Sequence, residues 1–258
     1  MKRVAITGVG MVTPLGLDVA TSWEGFTSGR SGVHRIESYD PTGEKVPVAA
    51  EVSVANGKAL ADKLPADVQD RTSRFVHFAL EAAREALASA GHPHRENPER
   101  WGVFSGVGFG EPLPSDGYKV GPTTIIRAMP NAVPAWVTIL EGLKGPSVTC
   151  STACASGAHA IGLAFDQVRC GRATGMLAGG VDTVITRDVM RTYAWMRALN
   201  TAKDEDPTVM SRPFDATRRG FVLGEGAAFL MLEEWEHARA RGARILAEFR
   251  GFCATSDA

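Results

Sequence analysis

Cysteine is scarce. Cys150, Cys154, Cys170 and Cys253 are the four in 258 residues, and without a secretion leader they do not make a disulfide framework, so at least one thiol must be explained by burial or by chemistry. Long hydrophobic runs are missing as well. Runs such as residues 227–232 fall far short of the ~20 residues a membrane helix needs, so no membrane span is expected. Neither charge dominates: 28 basic residues face 29 acidic ones for a formal net charge of −1, which gives a nucleic-acid partner no basic surface to bind. Lys2 and Arg3 precede an apolar stretch, but Thr7, Gly8 and Gly10 interrupt it and no small-residue cleavage site follows. The start therefore reads as a first strand and the compartment as cytoplasmic. No internal repeat or low-complexity tract marks a linker.

What is present is an ordinary globular composition, 44% hydrophobic and 22% charged, long enough for one large domain or two small ones. Residues 4–7 read as a buried strand ending at Gly8, and residues 18–28 as a short helix. Residues 29–56 are turn-rich. From Asp67, apolar positions recur at helical spacing until Gly91 and Pro93 end the run, predicting one amphipathic helix. An apolar run over 101–107 precedes a Pro/Gly-rich loop at 108–122, and a helix is expected to start near Pro134. Residues 147–151 then read as a buried strand, 155–169 as a helix rich in small residues, and 176–181 as another buried strand, a parallel strand–helix–strand unit. Residues 227–232, 233–241 and 244–252 repeat that order, and the fold class is α/β.

Cys154 falls at or beside the start of the helix read over 155–169. Unpaired N–H groups and the positive end of the helix dipole favour an anion there, so the sulfur is expected to ionise more readily, and the same N–H groups can face an oxyanion on an acyl carbonyl. Ala153, Ala155, Ser156 and Gly157 are small enough to admit an extended thioester arm. From position alone, a buried cysteine filling a tight turn is an equal alternative. A metal site built on Cys150, Cys154 and His159 does not fit, because the spacing matches no zinc pattern and the strand-to-helix change points the side chains apart.

Several segments then fall into a familiar order: Gly145-Pro146-Ser147; Ser151-Thr152-Ala153-Cys154-Ala155-Ser156-Gly157-Ala158-His159; Ala178-Gly179-Gly180; Ser211-Arg212-Pro213-Phe214-Asp215; Gly220-Phe221-Val222-Leu223-Gly224-Glu225-Gly226; and residues 232–243. Together with residues 4–17 and 71–76, they resemble the β-ketoacyl-acyl-carrier-protein synthases of the elongating kind, over nearly the entire chain. The resemblance implies a thiolase-like layered fold with mainly parallel sheet. It implies decarboxylative Claisen condensation through an acyl-cysteine at Cys154, whose backbone N–H joins the oxyanion hole. It implies no cofactor, with substrates on the phosphopantetheine arm of acyl carrier protein, in fatty-acid or polyketide elongation. It also implies a dimer, with itself or with a related subunit, with the strand near 176–181 close to the interface.

By the same resemblance, residues 1–243 are the nucleophile-bearing half and 244–258 begin a second half that is otherwise absent. The family's two histidines and lysine for decarboxylation belong to that second half, so this chain is expected to be acylated but not to condense. Its own histidines are poor substitutes: His159 lies five residues past Cys154 and turns away from it, and His34, His77, His92, His94 and His237 read as solvated or packed. Phe109, with Val107 beside it, stands where the family gates the acyl pocket, and would shorten the pocket in favour of small primers; a core aromatic beside a glycine turn is the other reading. Two departures from the family pattern are Arg219, at a commonly acidic position, and the dissimilar stretch 110–127.

Two rivals remain. Gly8-Val9-Gly10 after a strand suggests a dinucleotide-binding oxidoreductase, but Thr13 takes the place of the third glycine and no acid ends a strand ~20 residues on. A non-catalytic partner of the chain-length-factor type resembles the same family but lacks the cysteine.

Overall fold

In the computed structural model, residues 1–110, 121–203 and 205–256 are described. Along the chain, β1 (Val4–Val12) leads to α1 (Val19–Thr27), a ribbon of β2 (His34–Arg35) and β3 (Val48–Ala49), then α2 (Val54–Asp62), α3 (Ala66–Gln69) and α4 (Arg74–Ser89). Next come β4 (Trp101–Gly106), α5 (Thr124–Ala128), α6 (Ala132–Glu141), β5 (Ser147–Cys150), α7 (Ser156–Arg169) and β6 (Gly175–Asp182). Then follow α8 (Arg187–Trp195), β7 (Gly226–Glu234), α9 (Trp235–Ala240) and β8 (Ala247–Phe249).

Among the described residues, six strands form one sheet in the order β5-β4-β6-β7-β1-β8. β4, β5 and β6 are mutually parallel, and β1 runs with them, while β7 and β8 run the other way. Both strand–helix–strand units expected from the sequence are there, and each straddles a strand: β5–α7–β6 flanks β4, and β7–α9–β8 flanks β1. The residues from 244 onward thus add their strand to the edge beside β1.

β1 does not stop at Gly8. It runs on through Gly8 and Gly10 because α4 lies directly against it: a Cβ at Gly8 would come 2.1 Å from the Ala86 carbonyl oxygen, and one at Gly10 2.0 Å from that of Ala82. These glycines are contact surfaces. Helix α4 buries Phe75, Val76, Phe78, Leu80, Leu87 and the alanines between them, each large side chain being worth roughly 1.5–3 kcal/mol of burial. The single helix expected from Asp67 is divided into α3 and α4. At the break the Thr72 hydroxyl lies 2.6 Å from the Val68 carbonyl oxygen and 2.8 Å from His77 Nε2, while Ser73 Oγ donates to the Arg127 carbonyl, local bonds that compete with a continuous helix. The far end closes as expected on Gly91, at φ +75°, with His92 N–H bonding the Leu87 carbonyl and Gly91 N–H that of Ala88.

One expectation about strand environment is corrected. β5 is no buried strand; it is the outer edge of the sheet beyond β4, with Val148 44% exposed. β6 lies between β4 and β7 in the sheet interior and is almost wholly buried, as expected of a buried strand.

Candidate active site

The turn from β5 into α7 is held by its own short bonds. Ser156 Oγ accepts from Thr152 N–H at 2.8 Å and donates to the Ala153 carbonyl at 2.6 Å; Ala155 N–H and Ser156 N–H return to the carbonyls of Thr152 and Ala153. Ala153 sits in the left-handed region at φ +51°, a strained place for a residue with a Cβ, of order 1 kcal/mol. The next residue, Cys154, is thereby turned outward, one position before the helix cap Ala155. Cys154 is exposed, and it opens onto a cleft of about 370 Å³ whose walls include Thr13, Gly106, Gly157, Gly180 and Asp182. The buried-filler reading of Cys154 is thus overturned.

Contact glycines fix this elbow against the sheet. A Cβ at Gly106 would fall 2.1 Å from the Ser156 carbonyl carbon, and one at Gly180 2.9 Å from Gly157 Cα, so β4, β6 and the first turn of α7 meet backbone to backbone. Among the other cysteines, Cys150 is half-buried and its thiol is pushed up by that burial, while Cys170 caps α7 and Cys253 lies in the tail beyond β8.

None of the six histidines lines the cleft. His159 Nδ1 pairs with the Thr152 hydroxyl at 2.6 Å and its ring meets Phe252 edge-on, which ties α7 to the elbow and to the tail. His77 is held well below the ordinary imidazole range, at about 4, first by burial and then by Arg127 and Arg74.

Phe109 is 53% exposed, so the core-aromatic reading does not hold, and neither Phe109 nor Val107 is among the residues lining the cleft. Val107 is fully buried in the main core. Of the dissimilar stretch 110–127, residues 111–120 lie outside those described.

Three charged clusters were not singled out from sequence. Asp182, at the end of β6, accepts the backbone N–H groups of Gly108, Phe109 and Gly110. Arg74 bonds Glu225 and the Val52 carbonyl, and Glu225 also accepts Val52 N–H, which ties α4 to the segment entering β7. Glu233 is fully buried, bidentate with Arg241 at 2.7 Å for both bonds, and it also bonds Thr7 and His237. The only advance signal was that Arg74, Glu225 and Glu233 lie inside the segments that carried the resemblance. Gly8-Val9-Gly10, being mid-strand, does not form a phosphate-binding loop.

Residues 1–238 match the model of the β-ketoacyl synthase N-terminal domain. A 3-oxoacyl-acyl-carrier-protein synthase 2 from Coxiella burnetii is 40% identical over the whole chain, which spans 64% of that relative's length. A crystal structure of a β-ketoacyl synthase from Burkholderia phymatum superposes with a TM-score of 0.84 at 36% identity, over 96% of this chain and 63% of that one. A ketosynthase bound to its type II polyketide acyl-carrier protein superposes with a TM-score of 0.79 at 28% identity, over 96% of this chain and 61% of that one.

Proposed function

The chain belongs to the β-ketoacyl synthases, and from that premise we propose that it carries the acyl-accepting nucleophile of a condensing acyltransferase. The Cys154 thiolate attacks the carbonyl of an acyl thioester borne on the phosphopantetheine arm of acyl carrier protein. The tetrahedral adduct, its oxyanion facing the Cys154 backbone N–H, collapses and expels the carrier thiolate, leaving an acyl-cysteine. A malonyl thioester then loses carbon dioxide, and its carbanion attacks the acyl carbonyl, which forms the carbon–carbon bond and frees Cys154.

The observation that carries this reading is the exposed sulfur of Cys154 on a strained elbow, opening onto a cleft walled by small residues. In the same reading residues 1–243 form the nucleophile-bearing half and 244–258 begin the next. Decarboxylation calls for donors that the histidines described above do not provide, so the chain by itself is acylated and does not condense. Phe109 limits the acyl length, with Val107 supporting it from the core. The dimer, with a second copy or a related subunit, is part of the same proposal.

Intact-mass analysis after incubation with acyl-acyl-carrier-protein thioesters tests it. One acyl adduct is expected on the chain and none on Cys154→Ala. An adduct that survives the substitution would refute the assignment, and a Cys154 that neither acyl thioesters nor alkylating reagents can label would favour the non-catalytic partner instead.

A further inference from the structure

One side chain connects the cleft to the turn that carries Phe109, and we infer that Asp182 is a positioning residue that sets which acyl lengths Cys154 accepts. This rests on the reading of Cys154 as the acylated nucleophile and of Phe109 as the limit on acyl length.

Asp182 ends β6 and forms part of the cleft wall. Its Oδ2 accepts Gly108 N–H at 2.9 Å, and its Oδ1 accepts Phe109 N–H at 2.7 Å and Gly110 N–H at 2.6 Å. An ionised acceptor that gathers three consecutive backbone donors fixes a turn in position as well as in shape. The neighbouring residue closes the loop from the other direction: Thr183 N–H and its hydroxyl both donate to the Gly110 carbonyl, at 3.1 and 3.2 Å. The same turn backs onto the nucleophile elbow, since a Cβ at Gly108 would sit 3.4 Å from the Ala153 carbonyl oxygen. Phe109 is about half exposed, and its main chain is placed relative to Cys154 by these bonds. Asn at 182 keeps the size but turns one acceptor oxygen into an amide NH2 that faces N–H donors, and the turn loosens.

The test is a competition on the whole chain. Equimolar butyryl- and decanoyl-acyl-carrier-protein are offered, and the two adducts at Cys154 are counted by intact mass for the parent, Asp182→Asn, Thr183→Val, Phe109→Ala and the Asp182→Asn/Phe109→Ala double variant. Thr183→Val deletes one hydroxyl bond at nearly constant volume and probes the same turn should Asp182→Asn fail to fold. The ratio of adducts is unmoved by a mere loss of folded protein. Asp182→Asn is expected to raise the decanoyl-to-butyryl ratio about tenfold and Thr183→Val about threefold, with the double variant no further from the parent than Phe109→Ala alone. Ratios within about twofold of the parent for both clamp variants, or an Asp182 effect that adds in full to that of Phe109→Ala, would overturn the inference. A parent chain that takes no acyl group at Cys154 overturns the nucleophile reading and this inference with it, whereas normal loading with unmoved ratios removes only the inference.

Discussion

The two ends of the six-stranded sheet solve different problems. At the β8–β1–β7 end, polar groups lock the structure: the buried Glu233 carboxylate is satisfied by Arg241, His237 and Thr7, and Arg3 pairs with Glu248 across the outer strand. At the β5–β4–β6 end the locking is by proximity. Gly106, Gly157 and Gly180 bring three backbones together with no side chain between them, the edge strand is left open, and a lone sulfur projects from the result. A buried ion pair holds a fold while exposing nothing; close-packed glycines hold a small group in place while leaving it exposed.

The largest effect expected from this contrast is at Glu233. Glu233→Ala strands a guanidinium and an imidazole around a fully buried position and should cost about 3–5 kcal/mol in urea unfolding. Acylation per folded molecule should be unchanged, and a variant that stays folded yet loses acylation would break the division between the two ends. Next is Gly106→Ala. Its methyl would collide with the Ser156 backbone, costing about 3 kcal/mol, and here acylation of Cys154 should fall with stability. Wild-type acylation in a folded Gly106→Ala chain would show that the glycine junction does not position the thiol.

The smallest is a pH effect on α4, which covers β1. His77 titrates near 4 in the folded chain against about 6.5 when unfolded, so below about pH 6.5 the unfolded state binds a proton that the native state refuses. Stability should therefore decline as the pH falls from about 6.5 to about 4, by at most about 3 kcal/mol, and His77→Gln should abolish that part of the decline. An unfolding free energy that is flat across this range in the parent chain would contradict the burial assigned to His77.

Local signals in the sequence were dependable where one segment suffices. Asp18 caps α1 by accepting Thr21 N–H, Gly91 ends α4, and the strand–turn–helix around Cys154 lies where its residues indicated. What depends on a distant partner was not legible. Gly8 and Gly10 look like strand breakers until the helix that presses on them is known. β5 carries no mark of being an edge, because that is decided by which strands pair with β4. Glu233 reads as the first residue of a helix until β7 carries it inward and Thr7, 226 positions away, and Arg241, just past α9, close around it. Asp182 carries no mark in the sequence, since a carboxylate at a strand end is usually solvated, and only the fold shows the three amides it gathers. Nothing in the structure explains Arg219 at a commonly acidic position.

The junction of Gly106, Ser156 and Gly180 has one more consequence. Its members come from three stretches that are brought together by the pairing of β4 with its two parallel neighbours, contacts between residues far apart in sequence. A nascent or partly opened chain owns the same sulfur but has no stage to present it on. Under the proposed function, loading of Cys154 would therefore require that end of the sheet to be assembled first.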